Sequence, residues 1–268
     1  MQSRRSPGFW LLITLVWIVV GFLLAPMFIT VPISLTPTRF VSMPDGEYSL
    51  RHYETVFTGD AWLGPLGDSA MVGIGATLIA TFVGGAAAIG LWRIGGRAAR
   101  IIGVLALMPM IVPPIVTALA LSRAWVTLGL FDTVIGVILS HAILGMPFVF
   151  MTTSAALEGL DPRIVEAARS LGAGPFRVVR DVIVPNVRAG LVTGGLFAFM
   201  ISWDEIIVTL FVSSRSVFTL PRKIWSDIRD NLDPAVAAVS TLMIVATLVA
   251  ATLYLARDLL RARTGATR

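Results

Sequence analysis

Ser140 and His141 stand side by side in one apolar run, and Asp204 and Glu205 stand side by side in another. A serine next to a histidine raises the possibility of an intramembrane serine protease. Adjacent residues on a helix diverge by about 100°, whereas a nucleophile and its base must come within about 2.6–3.2 Å. The G-x-S-x-G turn that exposes such a serine is also missing, so His141 is expected to be a hydrogen-bonded packing residue. The chain has no cysteine, which removes disulfides, thiolate nucleophiles and zinc-thiolate sites. His52 and His141, far apart in sequence, make a poor metal cluster. No G-x-x-x-x-G-K-S/T phosphate loop occurs either, so the chain is not expected to bind ATP in that manner. Asp204 and Glu205 remain. A carboxylate near a bilayer centre costs about 2.5–3.5 kcal/mol and faces a bundle interior or a wet cavity. Such a group attracts a cationic solute, pairs with an arginine of this chain or of a partner permease, or is simply exposed at the membrane interface; for the first role Asp204 is the favoured of the two acids.

These residues are held by elements of unusual apolarity. Of 268 residues, 56% are hydrophobic and 14% charged, too apolar for an ordinary soluble domain. Uncharged runs at 9–31, 69–92, 101–122, 133–157 and 234–256 are each long enough for the roughly 20 residues of a spanning helix. A sixth, 189–214, is interrupted only by Asp204 and Glu205. The first run exceeds the roughly 7–15 residues of a signal-peptide core and lacks a clear cleavage site, so it counts as a span. The expected fold is all-α: a single six-span membrane domain over 1–268. Gly73, Gly75, Gly84, Gly85 and Gly90 favour close helix packing in the second span. Pro109, Pro113, Pro114 and Pro147 imply kinks.

The net charge of +5 sits in clusters at span ends, the pattern of membrane orientation and not of nucleic-acid binding. With a cytoplasmic N-terminus, fourteen basic residues fall inside (Arg4, Arg5, Arg93, Arg97, Arg100, Arg163, Arg169, Arg177, Arg180, Arg188, Arg257, Arg261, Arg263 and Arg268) against seven outside. Both termini are therefore expected in the cytoplasm. Residues 32–68 then form an external loop carrying Asp45, Glu47, Glu54 and Asp60. Trp10 and Tyr254 fit interface anchors.

Between the fourth and fifth spans lies the stretch 158–188, long for a bare connection and hence a candidate for function. Asp161-Pro162 is a cap followed by a proline at the first helical position. Ile164, Ala168 and Leu171 follow helical spacing, and Gly172 suits a left-handed C-terminal cap. Gly174-Pro175 opens a second short helix to about Val182, which Pro185 is expected to limit. The result is a cytoplasmic helix-turn-helix elbow.

Within it the order Glu166-Ala167-Ala168, three residues, Gly172, nine residues, Val182, one residue, Val184, Pro185 resembles the EAA loop of permeases in ATP-binding-cassette importers. Valine stands at both aliphatic positions of that pattern, a mild departure. "YSLRHYETVF", "SWDEIIVTLFVSS" and "TLPRKIWSDIRDNLDPAVAAVSTL" are similar to permeases of the spermidine/putrescine type, in particular the second of their two permease subunits. The resemblance covers nearly the whole chain. It implies a type I importer permease in a bacterial inner membrane. It also implies a homologous permease partner, two cytoplasmic ATPase subunits carrying ATP and Mg, and an external substrate-binding protein in which most of the solute specificity resides. Glu166, Ala167, Ala168, Gly172 and Pro185 would then couple to the ATPase. Residues 222–233, with Trp225 and the Asp233-Pro234 cap, are either a docking surface for the binding protein or a solvated loop. A secondary transporter is a further alternative, against which the EAA spacing counts.

Overall fold

The computed structural model describes residues 7–230 and 233–265. Arg4, Arg5 and Arg268 lie outside the described residues, as do the side chains of Tyr254, Arg261 and Arg263. The regular structure is helical, with no strand among the described residues. Five helices are long and apolar enough to cross a membrane: α1 (Pro7–Ser34), α3 (Asp60–Ile94), α7 (Val134–Glu158), the helix Pro175–Asp204 and α13 (Ala235–Gly265). The count reaches six when Gly96–Ile111 and Pro114–Leu128, apolar together but bent by 102°, are taken as one broken span. That span comprises α4 (Gly96–Ala106), α5 (Met108–Ile111) and α6 (Pro114–Leu128).

The bend has a local cause. Pro113 disfavours the helical conformation in the residue before it, and Val112 is extended at ψ 130°. Pro113 and Pro114 also supply no amide to continue the ladder. Two adjacent prolines thus end one helix and begin another, a sharper outcome than a kink. Pro147 by contrast lies buried within an unbroken α7.

By packing the chain forms two compact units, residues 1–63 with 224–268 and residues 64–223. In the first, α13 packs on α1 and on α2 (Arg51–Thr58). The loop before α2 is tied down by Tyr53 Oη at 2.7 Å from Ser34 Oγ, by His52 Nε2 at 3.0 Å from the Thr38 carbonyl, and by Arg51 donating to the Pro37 carbonyl. α1 exposes apolar side chains on nearly every side, Trp10 and Trp17 among them. Such a helix requires lipid or another protein around it.

The second unit is organised on α7 and α10 (Val184–Asp204), its most extensive helix pair. Gly190, Gly194 and Ala198 recur every four residues along α10 and meet α7 at backbone distance. A methyl group on Gly194 would sit 2.5 Å from Val149 Cα, one on Gly190 2.6 Å from the Thr152 carbonyl oxygen, and one on Gly145 of α7 2.8 Å from Ala198 Cβ. This small-residue stripe is what lets helices associate where lipid removes the hydrophobic drive. Thr152 Oγ1 adds an interhelical hydrogen bond to the Gly190 carbonyl at 2.8 Å. Among the second-span glycines, Gly84 abuts the Met146 backbone, Gly73, Gly75 and Gly85 abut side chains, and Gly90 meets nothing within 4 Å.

Candidate functional site

Two features flank α10, about 30 Å apart by the 1.5 Å rise per residue. At its start is the elbow. Asp161 accepts a hydrogen bond from the Arg163 amide at 2.9 Å, capping α8 (Pro162–Ser170). α8 ends in a complete Schellman pair, with the Ala173 amide on the Ala168 carbonyl at 3.0 Å and the Gly172 amide on the Arg169 carbonyl at 2.9 Å. Gly172 has φ +82°, which an L side chain rarely adopts. Its glycine is thus required by backbone conformation and not by space, since nothing lies within 4 Å of an added methyl.

The expected second short helix proves to be the first part of a long one. α9 (Pro175–Val178) runs through a π turn, Val179–Ile183, directly into α10. Pro185 therefore does not end the helix. A proline ring clashes with the carbonyl four residues back, and the wider turn relieves this: the Val184 amide bonds the Val179 carbonyl five residues back. The Asn186 side-chain amide takes up the Val182 carbonyl at 2.7 Å.

One core joins these pieces. Val165 of α8, Val178 of α9, Ile183 and Val187 are buried with Leu157 of α7, Leu160, and Ala88 and Ile89 of α3. Glu166, Ala167, Gly172 and Pro185 remain exposed and Ala168 half-buried. Leu171 and Phe176 are 89% and 76% exposed. The elbow is thus fastened to the bundle on one face and presents apolar side chains on the other, the form of a surface that another protein covers.

At the far end of α10 the helix stops at Asp204, and Glu205, with ψ 119°, leaves the helical conformation before α11 (Ile207–Val212) begins. This break gives the two acids different surroundings. Glu205 Oε1 accepts from the Val208 amide at 2.8 Å and so satisfies a free donor of α11. Asp204 is exposed, and among the described residues its carboxylate has no ion pair or hydrogen bond. No arginine among the described residues neutralises it there. Trp203 beside it is half-buried and stacked on Phe199, ring centroids 5.5 Å apart.

His141, fully buried in α7, lies 2.8 Å by Nδ1 from Ser202 Oγ and 2.9 Å by Nε2 from Thr209 Oγ1. Ser140 is engaged elsewhere, accepting from Trp125 Nε1 and donating to the Gly136 carbonyl, each at 2.7 Å. The serine and histidine that adjoin in sequence make no dyad.

Beyond α11 lies an arrangement that the sequence reading passed over. Asp132, itself at φ +56°, accepts at Oδ1 from the amides of Ser214, Arg215 and Ser216 at 2.7–3.0 Å and from the hydroxyls of Ser213 and Ser216. Arg222 closes the other side of the loop, donating to the carbonyls of Ser213, Ser214 and Val217. Asp68 accepts from the Phe218 amide, and Ser69 from the Leu220 amide. The available sequence signal was a serine-rich turn with an isolated aspartate just before a span.

Five helices long and apolar enough to cross a membrane, six with the bent pair taken as one span, and an elbow that offers apolar side chains outward are the architecture of a multi-span membrane protein. Residues 76–263 match the family model described as binding-protein-dependent transport system inner membrane component, and the chain belongs to that family. It is 32% identical to the spermidine/putrescine transport system permease protein PotC of Haemophilus influenzae, over 87% of this chain and 90% of that one. It is 29% identical to the putrescine transport system permease protein PotI of Escherichia coli, covering 83% and 82%. It is also 30% identical to the trehalose transport system permease protein SugB of Mycobacterium tuberculosis, covering 82% and 81%. In fold it matches a chain of a bacterial ATP-binding-cassette transporter that imports alginate, with TM-score 0.74, 16% identity and coverage of 95% and 98%. The chain is a multi-pass inner-membrane permease component of an ATP-binding-cassette importer, which works with a further permease, an ATPase and a binding protein.

Proposed function

We propose that this permease lines the path of polyamines or related small amines, with Asp204 as the carboxylate that receives the cationic solute. The observation that carries this reading is the exposed, unpaired Asp204 at the C-terminal end of α10. A lipid-facing carboxylate at the bilayer centre costs about 2.5–3.5 kcal/mol; Asp204 instead ends the Pro175–Asp204 span, where a carboxylate facing a wet path costs little and attracts a cation, as does the negative end of the helix dipole. Glu205 is committed to α11 and contributes less. Relatives named for polyamines and for a sugar stand at comparable identity, so family likeness alone leaves other cationic or zwitterionic solutes as the second reading.

Coupling runs through the elbow at Glu166, Ala167, Ala168, Gly172 and Pro185. Its exposed Leu171 and Phe176 seat against one of two cytoplasmic ATPase subunits, which hold ATP and Mg. This chain binds neither, nor nucleic acid. Both termini are cytoplasmic, the partner permease is a homologue, and the binding protein delivers solute from outside.

The test is ATP-dependent uptake of labelled spermidine and putrescine into proteoliposomes holding the whole complex and its binding protein. Wild type takes up both, and Gly172→Trp, strained at φ +82° and bulky at the elbow surface, loses uptake while remaining in the membrane. Uptake of another solute only would overturn the amine assignment.

A further inference from the structure

His141 touches both sides of the break in the fifth span. Ser202 is in the last turn of α10, and Thr209 is in the first turn of α11. Between them the helical ladder stops at Asp204 and resumes at Ile207, so helix hydrogen bonding does not set the angle between the two segments. Glu205 bridges the gap locally, through its carboxylate on the Val208 amide and its carbonyl on the Thr209 hydroxyl, and the imidazole ties both segments to α7. A neutral ring has one donor and one acceptor, and each hydroxyl rotates to serve either role. With the Thr209 hydroxyl donating to the Glu205 carbonyl at 3.4 Å, it accepts from His141 Nε2 at 2.9 Å, and Nδ1 accepts from the Ser202 hydroxyl at 2.8 Å, so both bonds are satisfied. Two buried hydroxyls from separate segments converge on one ring, so a single side chain of α7 holds both segments. α7 also carries Leu157 in the elbow core, sixteen residues or about 24 Å from His141. One strut thus holds the elbow at one end and the break at the other.

We infer that His141 is a positioning residue for translocation: it fixes the angle of the α10–α11 break and thereby aims the Asp204 carboxylate. This rests on the reading of Asp204 given above. The experiment is a double-mutant cycle on the complete complex in proteoliposomes, reading the maximal rate of labelled spermidine uptake alongside ATP hydrolysis stimulated by the loaded binding protein. Asp204→Asn lowers uptake about tenfold. His141→Leu lowers uptake by a similar factor while stimulated ATP hydrolysis persists, and His141→Gln, which keeps a donor and an acceptor, recovers much of the loss. In the Asp204→Asn background His141→Leu adds nothing, because a group acting through another is silent once that other is gone. Losses that multiply, or a His141→Leu protein with wild-type uptake, overturn the inference. Wild-type uptake in Asp204→Asn would instead overturn the Asp204 reading itself. Should His141→Leu not assemble, Ser202→Ala and Thr209→Val, each removing one of the two bonds, carry the same cycle with smaller losses.

Discussion

Asp132 gathers five hydrogen bonds on one carboxylate oxygen from residues 213–216, more than eighty positions along the chain. The amides of Ser216, Arg215 and Ser214 hold its carboxyl well below the ordinary value of 3.8. A depressed pKa in the folded state means stability that is fully present above pH 3.8 and lost as pH falls through the lower, folded value. The loop at 213–217 should accordingly keep its protection against amide hydrogen exchange unchanged from pH 5 to 8. Asp132→Asn keeps the side chain's shape but removes its charge, and should raise exchange at Ser214, Arg215 and Ser216 throughout that range. A pH-dependent opening between 5 and 8 in wild type would contradict this account. The same scale separates two acids that composition treats alike: Asp204 ends one helix and Glu205 caps the next, because the break falls between them and Ile207.

Among the elements, the pair α7 and α10 runs between the elbow and the break. Its backbones approach closely, with Gly190, Gly194 and Ala198 against Thr152, Val149 and Gly145. Gly194→Leu should therefore lower the thermal transition of the detergent-solubilised complex strongly, since overpacking costs about 1–3 kcal/mol or more where backbone and not a flexible side chain stands in the way. Gly90→Leu, where nothing lies within 4 Å, should leave the transition within a degree or two, roughly the scale of surface substitutions. Fluorescence-monitored melting distinguishes the two. The stripe is visible in retrospect as small residues at every fourth position of 190–198. The π turn is less so: Pro185 in an apolar run signals a helix end, and only the packing of Ile183 and Val187 into one core shows that the helix continues past it.

At the scale of the whole molecule, apolar side chains cover α1 and much of the outer surface of the remaining spans. A chain of this kind is a component and not a complete machine. Its energy source distinguishes the importer from an ion-driven transporter. Uptake into proteoliposomes should stop when ATP or the binding protein is omitted, and should persist when a proton ionophore collapses the membrane gradient. Uptake abolished by the ionophore with ATP present would favour the ion-driven alternative.

The apolarity of the long runs, the charge bias between loops, the Asp161 cap, the Gly172 turn and the EAA spacing are all local properties, readable from hydropathy, side-chain type and short intervals, and the amino-acid sequence by itself determined them. The 102° bend at Pro113-Pro114, the continuation through Pro185, the assignment of Glu205 to a cap and Asp204 to an open carboxylate, and the joining of His141 to Ser202 and Thr209 depend on which residues meet across 61 to 68 positions of chain or on where a ladder stops. Those are decided by packing. Near neighbours constrain one another through the backbone, whereas distant polar groups find partners only after the helices have been brought together.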